Sequence, residues 1–100
     1  MTNKTYKGYK YLGIKKSNKK GKKMMAVFEK NSRKKYIHFG AEGMSDYTIH
    51  KDKERKKRYM SRHKKRENWK NLMSPGALSK HVLWNKPSLR SSIKDYERML

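Results

Sequence analysis

Residues 24–39 read MMAVFEKNSRKKYIHF, two apolar runs separated by a polar turn. The runs at 24–28 and 36–39 flank Asn31-Ser32-Arg33, which is typical of two antiparallel strands joined by a tight turn. A third strand is predicted upstream at 6–14, where Tyr, Leu and Ile are interspersed with Lys and Gly. The sequence therefore predicts a three-stranded antiparallel sheet, which needs a second layer packed on one face for stability.

Start and stop signals predict three helices that supply this layer. Asp46 or Asp52 can cap the first, over residues 53–65, and Ser74 followed by proline can cap a second, over 75–84. Ser88 can cap the last helix, whose apolar side chains form an amphipathic stripe against the sheet or the second helix: Leu89, Ile93, Tyr96 and Leu100. We therefore predict an α+β fold in one small basic domain over residues 1–100, with strands in 1–40 and helices in 41–100.

The composition predicts a thin core and an intracellular protein. Hydrophobic residues make up 33% of the chain, against about 45–50% in typical domains on a count that includes glycine. Aromatic residues at 11% argue against a disordered chain. The absence of cysteine excludes disulfides, thiolate catalysis and cysteine-based zinc sites. Because no apolar run has the length of a signal peptide or a membrane span, we expect the protein to be made and used inside a cell, or inside a particle assembled there.

A concentrated positive charge occupies residues 51–66, KDKERKKRYMSRHKKR, where ten Lys or Arg accompany two acids. On a helix these cations surround most of the circumference, and the acids can pair with few of them. Since a net charge of +21 repels itself, we expect a polyanionic or strongly acidic partner. No Asn or Gln lies between Asp52 and Arg66, so nothing in this segment marks base readout. A merely solvated charged face is the alternative.

A lysine-rich loop is predicted at residues 15–23, KKSNKKGKK. It can attach more loosely to the same kind of partner, or it can serve as a solubilising or nuclear-localisation tract. Trp69 is a candidate interface anchor or a core residue. The residues predicted to contact a polyanion or acidic partner are Lys15, Lys16, Lys19, Lys20, Lys22, Lys23, Lys53, Arg55, Lys56, Lys57, Arg58, Arg62, Lys64, Lys65 and Arg66.

The motifs of common enzyme classes are missing. No glycine-rich loop is followed by the Lys-Ser/Thr of a phosphate-binding site, and there is no serine nucleophile elbow. His50 with Asp46 or His63 is the best candidate for a small His-metal nuclease, but no paired His-x-x-x-His strengthens it. We predict no catalytic residue, no metal and no cofactor.

Three segments carry a family resemblance: FGAEGMSDYTIHKD (39–52), RKKRYMSRHKKREN (55–68) and GALSKHVLW (76–84). Through them, about the C-terminal two-thirds of the chain resembles a family of small basic proteins of unknown role. These proteins are encoded mainly by large nucleocytoplasmic DNA viruses of algae and amoebae. The resemblance implies a viral protein that is made in the host cytoplasm or nucleus and packaged in the virion.

These observations favour a non-enzymatic structural protein of a large DNA virus particle. It would be a minor capsid or inner-shell component whose basic surface bridges acidic capsid subunits or the interior contents. A viral protein that binds and packages DNA without sequence preference is the alternative. A ribosomal or RNA-binding protein is third, and a small nuclease is last.

Overall fold

The computed structural model describes residues 4–67 and 69–100. Its strands are β1 (Thr5–Tyr6), β2 (Tyr9–Lys16), β3 (Lys22–Lys30) and β4 (Arg33–Ala41). Its helices are α1 (Tyr47–His50), α2 (Lys53–His63), α3 (Pro75–Leu78) and α4 (Leu89–Met99), and a π-helical turn (Ser79–Leu83) continues α3. The strands form one antiparallel sheet in the order β1-β2-β3-β4.

The prediction of three strands is wrong, because the Tyr-rich segment at its start folds back on itself. Tyr6 pairs with Tyr9 across a two-residue turn, in which Lys7 and Gly8 have φ of 50° and 83°. Two-residue hairpins of this kind need positive φ at both turn positions, for which Asn-Gly is the usual signal. Lysine is rare at positive φ, so nothing in the sequence indicates that one strand becomes two.

The prediction of three helices is also wrong, because α1 forms a separate single turn. Asp46 caps α1 and Asp52 caps α2, so the two candidate caps begin different helices. Four residues are too few for a helical periodicity to be visible in the sequence. The helix predicted at 53–65 ends at His63, and the one predicted at 75–84 changes to a π-helical turn after Leu78.

The predicted caps of the two later helices are confirmed. The Ser74 side chain accepts a hydrogen bond from the Ala77 N–H, with proline at the first helical position. The Ser88 side chain accepts one from the Ser91 N–H. Such caps satisfy backbone N–H groups that have no partner within the helix, and each contributes about 1 kcal/mol.

One face of the sheet carries the core, and the helices cover it. The register sets Tyr11 opposite Phe28 and Ala26 opposite Ile37, which aligns these side chains on one face. The predicted apolar stripe of α4 is confirmed. Tyr96 is fully buried, and Leu89, Ile93 and Leu100 are partly buried against the core. The buried cluster consists of Tyr11, Ala26, Phe28, Ile37, Phe39, Met73, Leu78, Val82, Leu83 and Tyr96.

Replacing Gly40 by alanine is expected to destabilise the protein more than replacing Gly21. Both glycines have positive φ, 79° and 87°, so alanine is strained at either position. At Gly40 the new Cβ would also lie 2.7 Å from Cδ1 of the buried Leu83, whereas at Gly21 it would meet nothing within 4 Å. We expect the free energy of unfolding, measured in urea, to fall by about 1–3 kcal/mol more for Gly40→Ala than for Gly21→Ala. Equal losses would show that the contact with Leu83 carries no cost.

Candidate functional site

The basic helix α2 begins at a well-formed cap. The Asp52 carboxylate accepts hydrogen bonds from the N–H groups of Glu54 and Arg55, at 2.9 and 3.4 Å. Glu54 lies in the first turn, while Arg62 and His63 lie in the last. Acids at the start and bases at the end match the helix dipole, which explains why so charged a segment is helical.

A stack of aromatic rings attaches α2 to the rest of the protein. Tyr59 is the buried residue of the helix, and its ring lies 4.2 Å from that of Trp84 and 4.2 Å from that of His63. The His50 ring packs beside this stack, tilted by 56° to Trp84 with the ring centres 5.3 Å apart. Burial, with a smaller effect from the Glu67 carboxylate, raises the pKa of Tyr59 well above its usual range. The Tyr59 hydroxyl therefore stays neutral. The ring contacts, rather than aliphatic side chains, attach α2 to the rest of the protein.

Lys56 supplies a second attachment of α2. Its Nζ donates a hydrogen bond of 2.6 Å to the Asn85 carbonyl and lies 5.0 Å from the centre of the Tyr47 ring. This lysine is engaged within the chain, so we leave it out of the contact surface proposed below.

The other cations of α2 and the turn after it face solvent. Within residues 4–67 and 69–100, the ion pairs join Lys23 to Asp46, His63 to Glu67 and Arg98 to Asp95, and none uses these cations. They form what we call the basic surface of α2. Its members are Lys53, Arg55, Lys57, Arg58, Arg62, Lys64, Lys65 and Arg66.

Most acids of the chain serve local structure instead of balancing these charges. Asp52 caps a helix, Glu97 accepts a hydrogen bond of 2.7 Å from the Tyr11 hydroxyl, and Glu42 accepts one from the Gly21 N–H. Six of the eight acids have such a role: Glu42, Asp46, Asp52, Glu67, Asp95 and Glu97. The positive charge of α2 is therefore left without internal compensation.

The lysine-rich loop is shorter than predicted. Lys15 and Lys16 end β2, and Lys22 and Lys23 begin β3, so only residues 17–21 form the loop. Lys19 and Lys20 are exposed within it.

Lys23 differs from the other lysines of this segment because its charge is already satisfied. Its Nζ lies 2.6 Å from Oδ2 of the buried Asp46. We therefore exclude Lys23 from the proposed contacts.

Sequence reasoning missed a second basic cluster at the turn between β3 and β4. The ammonium groups of Lys30 and Lys35 lie 5.2 and 5.6 Å from the centre of the Tyr9 ring. Arg33 and Lys34 complete the lining of the surrounding hollow. The signal is the run Arg33-Lys34-Lys35, of which only Arg33 belongs to the predicted turn.

Trp69, the candidate interface anchor, has partners within the chain. The Trp69 indole N–H donates to Glu67 Oε2 at 3.0 Å, and the Lys80 ammonium lies 4.5 Å from the Trp69 ring centre. Its role as an interface anchor stays a prediction.

The three residues of the nuclease alternative have separate partners. The His50 Nδ1 accepts from the Asp52 N–H, Asp46 binds Lys23, and His63 contacts Glu67. Among the described residues, no group of three or more His, Asp or Glu side chains is placed to hold a metal ion.

Comparison with known proteins gives one assignment. No curated protein and no solved structure matches the chain. Within the described part of the chain, no helix has both the length and the apolar character needed to cross a membrane. One family model matches residues 12–63, from β2 to the last residue of α2, and that family has no assigned activity. Because the match spans more than half of the sequence and includes the basic helix, the chain belongs to the family of unknown function DUF5754.

Proposed function

We propose that the protein is a non-enzymatic structural protein of a large DNA virus particle, a minor capsid or inner-shell component. In this role the basic surface of α2 binds an acidic surface of another particle protein. The resemblance of residues 39–52, 55–68 and 76–84 to viral proteins supports the assignment to a virus particle. Location in the virion is part of the same proposal.

The observation that supports this proposal is the separation of charge within the chain. The acids of the chain are mostly used as caps and internal partners, while eight cations of one helix and its following turn are exposed and unpaired among the described residues. A single exposed ion pair contributes about 0.2–1 kcal/mol, so a useful affinity needs many in parallel. Arginine can contact a carboxylate with two hydrogen bonds, which suits Arg55, Arg58, Arg62 and Arg66 to a fixed contact.

A second candidate function is DNA binding without sequence preference. It is favoured by the cluster at the β3–β4 turn, which adds Lys30, Arg33, Lys34 and Lys35 on a different element. A phosphate backbone can contact basic groups that are scattered over several elements, because such contacts need no base recognition.

Particle fractionation combined with duplex binding separates the two functions. We expect the protein to remain with particle shells emptied of DNA, and to bind random duplex weakly at 150 mM salt. A packaging protein with six to ten phosphate contacts would instead leave with the DNA. Its duplex affinity would fall about 10³–10⁵-fold between 50 and 200 mM salt. That second pattern would contradict the structural proposal.

A nuclease assay provides a further check on both functions. The protein is expected to leave supercoiled plasmid intact in the presence of magnesium. Cleavage that His50→Ala abolishes would contradict the structural role and the packaging role together.

A further inference from the structure

A cleft of about 590 Å³ opens beside the basic helix. It is bounded by the end of β4, the loop before α1, the last turn of α2 and the start of α3. Its volume lies within the range of about 300–1,000 Å³ that is usual for ligand sites.

The buried part of the cleft is apolar and the exposed part is cationic. Phe39 and Leu83 belong to the core, and the ring of Tyr59 is buried beside them. Lys22 and Arg62, with Arg66 beyond the helix end, are exposed lining residues with no ion pair among the described residues.

The two carboxylates of the lining cannot neutralise these cations. Asp46 is paired with Lys23 and accepts a hydrogen bond from the Thr48 N–H. Glu67 is held by His63 and by the Trp69 indole N–H. The cleft therefore presents a net positive charge around an apolar interior.

Met44 is an unusual member of this lining because 64% of its surface is exposed. Covering this side chain with an apolar group removes apolar surface from water and is therefore favourable. An apolar side chain beside three cations matches a partner that offers both an apolar group and negative charge.

The ring geometry disfavours a nucleobase as this apolar group. Tyr59 is stacked between Trp84 and His63, so it has no free face, and the same stack covers one face of Trp84. Single-stranded nucleic acids are held chiefly by stacking on open aromatic faces. The described lining also contains no Asn or Gln that would read a base edge.

We propose that this cleft binds an acidic peptide segment of a partner protein. A bulky apolar side chain of the segment packs against the exposed Met44, and flanking carboxylates pair with Lys22, Arg62 and Arg66. The inference rests on the proposed function and adds the chemistry of the partner.

Two synthetic peptides test the proposal on the full-length chain. Both are ten-residue, fluorescein-labelled sequences of Asp and Glu, one with a central Phe-Leu pair and one with Ala-Ala. By fluorescence anisotropy we expect the Phe-Leu peptide to bind about tenfold more tightly, which corresponds to 1.4 kcal/mol of apolar burial. Met44→Ser should remove most of this preference. Ile49→Ser should leave it unchanged, because Ile49 is 61% exposed but lies outside the cleft.

Three results would overturn the proposal. They are equal affinity for the two peptides, equal losses from Met44→Ser and Ile49→Ser, and displacement of the Phe-Leu peptide by an equimolar oligothymidine. If both peptides bind equally and the arginines of α2 are required, the acidic-partner function stands and only the cleft assignment fails. If neither peptide binds, both fail.

Discussion

Replacing Tyr96 by alanine is expected to lower the free energy of unfolding by about 3–5 kcal/mol, the usual cost of deleting a buried aromatic side chain. Tyr96 is fully buried at the centre of the core, and its ring meets that of Tyr11 at 6.3 Å. Its hydroxyl donates a hydrogen bond to the Leu72 carbonyl, which the substitution would leave without this partner. Because domains of this size have only about 5–15 kcal/mol of stability in total, we expect a large shift of the urea midpoint.

Two further variants keep this prediction testable if Tyr96→Ala does not fold. Tyr96→Phe removes only the hydrogen bond and should cost about 1 kcal/mol. Tyr36→Ala deletes a tyrosine that is 47% exposed and lies outside the core cluster, so its effect should be within about 0.5 kcal/mol. A loss for Tyr36→Ala as large as that for Tyr96→Ala would contradict the placement of the core.

Replacing Arg55, Arg58, Arg62 and Arg66 together by glutamine is expected to weaken binding to DNA-free particle shells by at least about 30-fold. The estimate takes about 0.5 kcal/mol or more for each exposed pair, from the range for surface ion pairs. Affinity is to be measured by co-sedimentation at 150 mM salt. Circular dichroism should show that helix content is retained, because none of the four side chains is buried.

The matched control removes the same charge from the other basic cluster. Replacing Lys30, Arg33, Lys34 and Lys35 by glutamine also deletes four positive charges from the net +21. If α2 is the contact, this control should bind shells nearly as well as the unmodified protein. Equal losses in the two variants would show that net charge, rather than a surface, determines binding.

The starts of α2, α3 and α4 were predictable from the sequence because their signals are local, whereas the four-residue helix α1 was not predicted. Asp52, Ser74 and Ser88 cap backbone N–H groups within three residues of themselves, and the apolar stripe of α4 spans residues 89–100. The first hairpin was not predictable, since it depends on Lys7 adopting a backbone conformation that lysine rarely takes. The π-helical turn also gave no signal, because its Trp84 N–H to Ser79 carbonyl bond differs from an α-helical bond by one residue.

The positive charge of the candidate site was predictable from the sequence, but the contacts that attach α2 to the rest of the protein were not. The cations of α2 can be read from composition and spacing alone. Which of the predicted contact residues are free depends on partners distant in the chain: Lys23 of β3 pairs with Asp46, and Lys56 of α2 donates to the Asn85 carbonyl. The aromatic stack joins Tyr59 to Trp84, and no sequence pattern predicts contact between two residues so far apart in the chain.

In the proposed role, the internal use of the acids would affect the turnover of copies that are not bound to a partner. With six of its eight acids used in caps and internal contacts, a free copy has little means of relieving the repulsion among its own cations. Binding of an acidic partner to the folded form alone stabilises that form by mass action. Surplus copies would then unfold more often than assembled ones and be removed first by proteolysis. In this way the amount of the protein would follow the number of sites available to it.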